Sequence, residues 1–168
     1  MNIDYHRFPI KNILAIIQHY DAKKYWKRRE YVVNGGGLKL LKLFYLLYIK
    51  RCDAFNKASM GTDLNQGAEF KSTPRLPHGL NGIIVSPYAK IGKNAYIFHQ
   101  VTIGDDGVDK HNVPTIGDNV TIYAGAKVVG KCYIGDGAKI GANCVVNFDV
   151  PPKAIVTLNK PKMKIMSV

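Results

Sequence analysis

Aliphatic residues recur at every sixth position through two stretches of the second half of the chain. All are β-branched: Val85, Ile91, Ile97 and Ile103 in the first stretch, and Ile116, Ile122, Val128, Ile134, Ile140 and Val146 in the second. A period of six matches neither the repeat of a helix nor the repeat of a single strand. It is typical of a short strand and a turn that repeat, so that each aliphatic residue stacks on its equivalents in neighbouring rungs. We therefore expect a mainly β fold, a parallel β-solenoid.

A second series of small or modest apolar residues follows the first at a distance of four positions. Its members are Ala89, Ala95, Val101, Val120, Ala126, Cys132, Ala138, Cys144 and Val150. Two of the three cysteines fall in this series, and the sequence holds no CxxC pair. A free cysteine in a core behaves as a small hydrophobic residue. We therefore predict buried thiols, and neither a disulfide nor a metal site.

The first sixty residues have a helical pattern instead of the six-residue one. Apolar residues at helical spacing predict helices over residues 9–33 and about 38–58, separated by the stretch Asn34-Gly35-Gly36-Gly37. The second helix is apolar around much of its circumference, so it needs a partner surface. The end of the solenoid, a neighbouring subunit and a membrane surface are the three candidates.

These patterns divide the chain into three parts. We predict an N-terminal helical region over residues 1–60, a β-helix domain over residues 61–152 and a C-terminal tail over residues 153–168. Pro151-Pro152 is expected to end the repeat, because proline cannot donate to a strand ladder. The step from Ile103 to Ile116 is not a multiple of six, so residues 105–115 should leave the coil as a polar loop. Loops that interrupt a regular scaffold commonly carry function.

The chain carries a net charge of +12, and most of it lies in the helical region. Residues 1–60 hold twelve Lys and Arg against four Asp and Glu. Such a surplus fits a solvated lysine-rich surface, an anionic membrane or a phosphorylated ligand. Nucleic acid is not an expected partner, since no nucleic-acid-binding motif accompanies the charge. The longest apolar run, residues 43–49, is too short to span a bilayer, and no signal-peptide pattern is present. We expect a cytoplasmic protein, with peripheral contact to an anionic membrane left open.

The repeat unit has the form aliphatic-Gly-x-x-small-x, as in Ile140-Gly141 followed by Cys144. Three further stretches extend the pattern: His78-Gly79-Leu80-Asn81-Gly82-Ile83-Ile84-Val85, Val101-Thr102-Ile103-Gly104 and Asp149-Val150-Pro151-Pro152. With them, the segment from Asp63 to Pro152 resembles the hexapeptide-repeat acyltransferases, and among these the serine acetyltransferases and their relatives in surface-polysaccharide gene clusters. The resemblance implies a left-handed β-helix, acetyl-CoA as the acyl donor, and a homotrimer in which one chain supplies only part of each active site.

The same resemblance implies a catalytic His-Asp pair, with the aspartate fifteen residues before the histidine. Asp63 and His78 have that separation. A hydroxyl acceptor is a poor nucleophile until a base removes its proton, and neutral imidazole performs this task near pH 7 for a gain of about 10²–10⁴-fold. A carboxylate on the other ring nitrogen fixes the tautomer and stabilises the imidazolium. We therefore expect His78 to be the base and Asp63 its partner.

Coenzyme A is implied to lie along the groove between coils. The positions that match the family's cofactor-binding residues are Gly104, Ala124, Gly125, Gly141 and Ala142. Small residues there let a ligand approach the main chain, although tight turns need small side chains in any case. Lys153 and Lys160 are the candidates for the nucleotide phosphates.

Acceptor recognition is where this chain departs from the serine enzymes. They carry an aspartate directly before the catalytic histidine, and this chain has Pro77. They also carry an Arg-His pair that closes the projecting loop, and here Lys110-His111 is the nearest equivalent. Lysine lacks the planar fork with which arginine grips a carboxylate. His99 is a further candidate for an acceptor contact.

The sequence therefore predicts acetyl-CoA-dependent O-acetylation of a hydroxyl acceptor. A sugar of a surface polysaccharide precursor is favoured over L-serine, because both departures concern groups that hold an amino acid. Two alternatives stay open. One is acetylation of an amino group on a nucleotide sugar, and the other, from a different class, is a non-catalytic β-helix scaffold.

Overall fold

The computed structural model describes residues 15–34 and 36–159. Among these residues, helices α1 (Ala22–Val33) and α2 (Lys39–Phe55) precede the strands, and residues 15–17 are also helical. The strands are β1 (Ser59–Met60), β2 (Thr62–Asp63), β3 (Gln66–Gly67), β4 (Glu69–Phe70), β5 (Ile84–Val85), β6 (Lys90–Ile91), β7 (Tyr96–Ile97), β8 (Thr102–Gly104), β9 (Thr115–Ile116), β10 (Thr121–Ile122), β11 (Lys127–Val129), β12 (Tyr133–Ile134), β13 (Lys139–Ile140), β14 (Val145–Val146) and β15 (Ile155–Val156).

Three parallel sheets form the walls of a solenoid. Their strand orders are β1-β5-β8-β11-β14, β4-β6-β9-β12 and β7-β10-β13-β15. Each circuit of the chain adds one strand to each sheet, and equivalent residues pair in register, as Ile97, Ile122 and Ile140 do. The β-solenoid expected from the six-residue period is confirmed. The described strands include one antiparallel pair, the hairpin β2–β3, which projects from the first circuit.

The interior of the solenoid is built from the two sequence series. Every residue of the aliphatic series and of the small apolar series is buried. Adjacent residues of one strand show the alternation: Val146 points inward and is fully buried, whereas Val145 points outward and is 62 % exposed. All three cysteines are free and buried. Each circuit thus contributes one large and one small apolar side chain per wall.

The first predicted helix is interrupted in the part that the structure describes. His19 has a φ of 49°, a left-handed value that no right-handed helix accommodates. Asp21 then caps α1, its carboxylate accepting a hydrogen bond from the amide of Lys24 at 3.0 Å. The prediction of one helix over residues 9–33 is therefore wrong at its centre, and residues 9–14 lie outside the described residues. Helix α2 agrees with the prediction over 38–58, apart from its ends.

The solenoid extends past both limits that the sequence suggested. Strand β1 pairs with β5, so the first circuit already begins at residue 59. Strand β15 pairs with β13, so the coil continues beyond Pro151-Pro152. The prolines occupy a corner between two walls, where no ladder donor is required. Pro152 packs there against Gly135, whose absent Cβ would lie 2.4 Å from the proline nitrogen.

A buried polar contact joins the two helices. The Tyr25 hydroxyl donates to Oδ1 of Asp53 at 2.7 Å, while Oδ2 of the same carboxylate is buried without a hydrogen-bond partner. Burial raises the pKa of Asp53 to about 6. The folded protein therefore holds a proton on this carboxyl at pH values where the unfolded chain has already released it.

Asp53 should make the unfolding free energy fall as the pH rises from about 4 to about 6. In this range the native state binds more protons than the unfolded state, so the slope of stability against pH is negative, with a total of at most about 3 kcal/mol. Replacing Asp53 by Asn should remove this component. Urea unfolding of both proteins across the pH range measures it, and parallel curves for the two proteins would contradict the assignment.

Candidate active site

His78 lies in the turn of residues 76–83, between the bridge of Arg75 to β7 and the start of β5. Leu80 and Ile83 are fully buried and anchor this turn on the core. The imidazole itself is exposed, with the His99 ring edge-on at a centroid distance of 4.8 Å and the Phe98 ring at 5.9 Å. The turn is therefore anchored on the core and exposes the His78 side chain to solvent.

Four corner turns stack into one edge of the solenoid, which we call the histidine edge: residues 76–83, 98–101, 123–126 and 141–144. Backbone hydrogen bonds connect them, from Gly125 N to His99 O at 3.1 Å and from Asn143 N to Ala124 O at 3.0 Å. Neighbouring strands are about 4.8 Å apart, so the first and last turns are separated by about 14 Å. The structure thus brings His78, His99 and four of the predicted cofactor-binding residues onto one line.

The glycines of the histidine edge are required by the coil itself. Gly125 has a φ of 73°, and a Cβ there would lie 2.1 Å from Oδ1 of Asn143. At Gly141 a Cβ would lie 2.8 Å from the carbonyl oxygen of Val156. The small residues of this edge lie beside the exposed side chains of Gln100, Tyr123 and Asn143, so a ligand that binds here meets both backbone and side chains.

Asp63 lies on a different edge, in the hairpin β2–β3 between the first and second walls. The side chain is exposed, and its Oδ1 accepts a hydrogen bond from the amide of Leu64 at 2.8 Å. Within the described part of a single chain, no hydrogen bond joins Asp63 to His78. The pairing of these two residues stays a prediction.

The helical region holds the hairpin in place through the buried Arg29. Its Nε donates to Oγ1 of Thr62 at 2.9 Å, and Nη2 donates to the carbonyl oxygens of Ala68 at 2.7 Å and Met60 at 3.1 Å. Burial lowers the pKa of Arg29 to about 10, so it stays charged at neutral pH. Arg29 therefore fixes the residue directly before Asp63.

The tip of the hairpin is held as well. Nζ of Lys42 donates to Oδ1 of Asn65 at 2.6 Å and to the carbonyl oxygen of Asn34. The amide of Asn65 donates to the carbonyl oxygen of Val32 at 3.1 Å. Both helices thus contact the segment that carries Asp63. No motif in the sequence indicated these contacts.

The chain leaves the coil over residues 105–114, since Thr115 already belongs to β9, and this loop is ordered by its own carboxylates. Asp106 accepts hydrogen bonds from the amides of Asp109 and Val108 and from the side chain of Asn112, and the amide of Asp109 contributes most to lowering its pKa. Asp109 in turn accepts from the amide of His111 at 2.9 Å. These bonds give the loop a defined shape without a ligand.

Tyr88 connects the loop to the hairpin, and sequence reasoning missed it. The His111 ring lies edge-on at 4.4 Å, and Nζ of Lys110 lies 5.6 Å from the tyrosine ring centroid. Gln66 of the hairpin and then Lys110 lower the pKa of the Tyr88 hydroxyl. We call this second corner, formed by residues 61–68, 86–89 and 105–114, the loop edge. In the sequence Tyr88 is one more corner residue of a repeat, so nothing singled it out.

The other described residues predicted to bind the cofactor or the acceptor lie away from the exposed groups of the two edges or are partly buried. Gly104 ends β8 at the start of the loop edge, where its carbonyl oxygen accepts from Gly130 N at 3.1 Å. Lys153 lies on the third edge, its amide bonded to the carbonyl oxygen of Asp136, and Lys160 lies outside the described residues. His99 is half-buried, and its Nδ1 has no hydrogen-bond partner. Within residues 15–34 and 36–159, no cluster of His, Cys, Asp and Glu could hold a metal ion.

Each chain therefore has two chemically different edges. The histidine edge offers an exposed imidazole beside turns of small residues, and the loop edge offers a carboxylate, an ammonium group, a second imidazole and a phenol. An imidazole can take a hydroxyl proton, and the charged groups can orient a polar acceptor. Because the edges are at different corners, their groups can meet only when a second copy of the chain lies alongside.

Comparison with known proteins gives the following similarities. Residues 114–147 match the family described as bacterial transferase hexapeptide (six repeats). The chain is 40 % identical over 103 residues to a serine acetyltransferase of Mycobacterium tuberculosis, covering 61 % of this chain and 44 % of that protein. It is 36 % identical over 159 residues to a serine acetyltransferase of Bacillus licheniformis, covering 89 % and 66 %. A solved serine acetyltransferase in complex with CoA matches with a TM-score of 0.63 and 25 % identity, covering 90 % and 60 %. The chain thus spans 44 to 66 % of the length of these relatives.

Proposed function

We propose that this chain, a hexapeptide-repeat protein related to the serine acetyltransferases, transfers the acetyl group of acetyl-CoA to the hydroxyl of L-serine. One observation carries the proposal: the exposed His78 lies on the same edge as the small-residue turns Ala124-Gly125 and Gly141-Ala142. A general base thus stands at one end of a strip of accessible backbone along which a long, thin donor can lie.

In the proposed reaction His78 acts twice. Its neutral imidazole takes the proton of the serine hydroxyl as the oxygen attacks the thioester carbonyl carbon of acetyl-CoA. The carbon–sulfur bond then breaks, and the imidazolium returns the proton to the departing thiolate. The products are O-acetylserine and CoA with its free thiol, and the base is regenerated.

Each site is proposed to form between two copies of the chain in a homotrimer. His78 and the donor strip come from the histidine edge of one copy, and Asp63, Lys110 and His111 come from the loop edge of the next. Gly104, which begins the loop edge, would then border the donor groove of the neighbouring copy. This arrangement gives the imidazole the carboxylate partner that it lacks among the described residues of its own chain.

L-Serine is preferred to a polysaccharide sugar as the acceptor. The sugar was favoured from Pro77 and Lys110, but the related proteins are named for serine, which supports the amino acid. Lys110 can still attract the serine carboxylate as a point charge, without the two parallel bonds of arginine. A higher KM for serine than an arginine would give is the expected consequence.

Release of CoA from acetyl-CoA, followed in the presence of single acceptors, tests this function. We expect turnover with L-serine, and little with a panel of sugars, 4-amino sugars and D-serine. Turnover with sugars alone would restore the polysaccharide assignment, and turnover with 4-amino sugars alone would indicate N-acetylation. If no acceptor releases CoA, the proposal fails and the non-catalytic scaffold is the better description.

The proposed location is the cytoplasm, where both substrates are available. Contact with an anionic membrane has a clear purpose when the acceptor is lipid-linked, and L-serine does not require it. A membrane contact must therefore be argued from the surface of the helical region, independently of the acceptor.

A further inference from the structure

Helix α2 turns an apolar stripe toward solvent. Leu40, Leu43, Phe44 and Leu47 are spaced by three and four residues, so they share one face of the helix. Leu40 is 83 %, Phe44 65 % and Leu47 62 % exposed. The opposite face supplies the residues that pack into the protein, including Ile49. Among residues 15–34 and 36–159, these four large apolar side chains on one helical face therefore have no partner.

The charges around this stripe are all of one sign. The exposed charged residues of α2 are Lys39, Lys50 and Arg51. The acidic residue of this helix, Asp53, is buried against Tyr25. At 100° per residue, Lys39 and Lys50 border one side of the stripe, and Arg51 lies on the stripe itself, one turn after Leu47. The face thus combines apolar side chains with flanking cations and no exposed carboxylate.

A basic cleft lies beside this face, between α2 and the residues that lead into α1. It has a volume of about 640 Å³, and its charged lining residues are three cations, Lys24, Arg28 and Arg51, and one carboxylate, Asp21. The Arg28 guanidinium stacks on the ring of Tyr48 at 4.0 Å, which holds it in one orientation. Among the described residues, Asp21 forms a salt bridge with Lys24. Neither Arg28 nor Arg51 forms a salt bridge with a carboxylate there.

We propose that this face, formed by the stripe of α2 and the basic cleft, docks on a membrane that contains anionic phospholipid. The apolar side chains enter the boundary between headgroups and acyl chains, and the two arginines of the cleft take a headgroup phosphate. Charge complementarity selects this occupant. A two-fold contact between two copies of the same face would oppose cations to cations, because α2 exposes no carboxylate and Asp21 of the cleft is already paired with Lys24. No helix of the described residues is long and apolar enough to cross a membrane, so the contact is one of lying on the surface.

Flotation of the full-length protein with vesicles tests the proposal. Vesicles of phosphatidylcholine with phosphatidylglycerol should carry the protein to the top of the gradient, and vesicles of phosphatidylcholine alone should not. Leu47→Glu should lower the bound fraction at least about tenfold, since it removes an exposed leucine that would enter the membrane and adds a charge that anionic lipid repels. Raising the salt concentration should weaken binding of the wild type.

Leu158→Glu is the matched control, because Leu158 is 60 % exposed and lies outside the helices. It should float as the wild type does. Circular dichroism should show an unchanged fold for both variants. Absence of flotation, or equal flotation of the two variants, would overturn the proposal. A change of sedimentation with Leu47→Glu and no flotation would instead identify the stripe as an interface between copies. Acetyl transfer to L-serine is measured without vesicles, so the failure of one proposal does not imply failure of the other.

Discussion

Replacing His78 by Ala should lower kcat for acetyl transfer to L-serine by about 10²–10⁴-fold. The hydroxyl would then have to lose its proton to water while it attacks the thioester. KM for acetyl-CoA should change little, because the donor is expected to lie against backbone further along the histidine edge. Steady-state assays of CoA release measure both constants.

His19→Ala provides a matched control for this substitution. His19 lies before α1, where its ring packs on Phe55 at 4.0 Å, and it belongs to neither edge of the proposed site. The same change of side chain there should leave kcat within about twofold of the wild type. A His78→Ala protein that turns over as fast as the wild type would refute the proposed mechanism, whatever the acceptor.

The solenoid could be predicted because each of its core positions recurs at a fixed spacing in the sequence. Each rung needs one branched aliphatic side chain and one small one, and residues such as Ile122 and Ala126 can be found by counting. The break before α1 could not be found in this way. The apolar residues on both sides of it keep helical spacing. The residue with positive φ is His19, whereas glycine is the residue type that would have indicated such a break in the sequence.

The site could be predicted in part for the same reason. His78 and the glycines of its edge fall at corners, and corners of a regular coil stack in order. The hairpin that carries Asp63 interrupts the coil, so its direction depends on contacts from distant residues. Arg29 and Lys42 supply those contacts from the helices, more than twenty positions away in the chain. Such contacts leave no periodic signal.

The spacing of residues in the sequence also did not indicate that Asp63 and His78 lie on different edges of the solenoid. A separation of fifteen residues between Asp63 and His78 suggests neighbours. In the structure this distance carries the chain from the loop edge past two walls, through β4 and the bridge of Arg75 to β7, to the histidine edge, so the two groups face different sides. The proposed dyad therefore requires that residues close in sequence meet between chains.

Mixed trimers test this central claim most directly. Asp63→Ala and His78→Ala chains, each inactive or nearly so alone, are co-expressed with different tags, and the mixed assemblies are purified through both. Asp63→Ala alone should reduce kcat by about 10²-fold or more, because the imidazole loses its orienting carboxylate. Wild-type kcat in this variant would already contradict a role for Asp63.

A site that takes His78 from one copy and Asp63 from the next is intact wherever the two variants meet in the right order. Random mixing places about a quarter of all sites in that state, and purification through both tags raises the fraction somewhat. The comparison is a blend of the two variants purified separately, which contains no intact site. We predict that CoA release by the mixed trimers, with L-serine as acceptor, reaches at least about a quarter of the wild-type rate. Mixed trimers no more active than the blend would show that one chain supplies both residues, and would contradict the shared site.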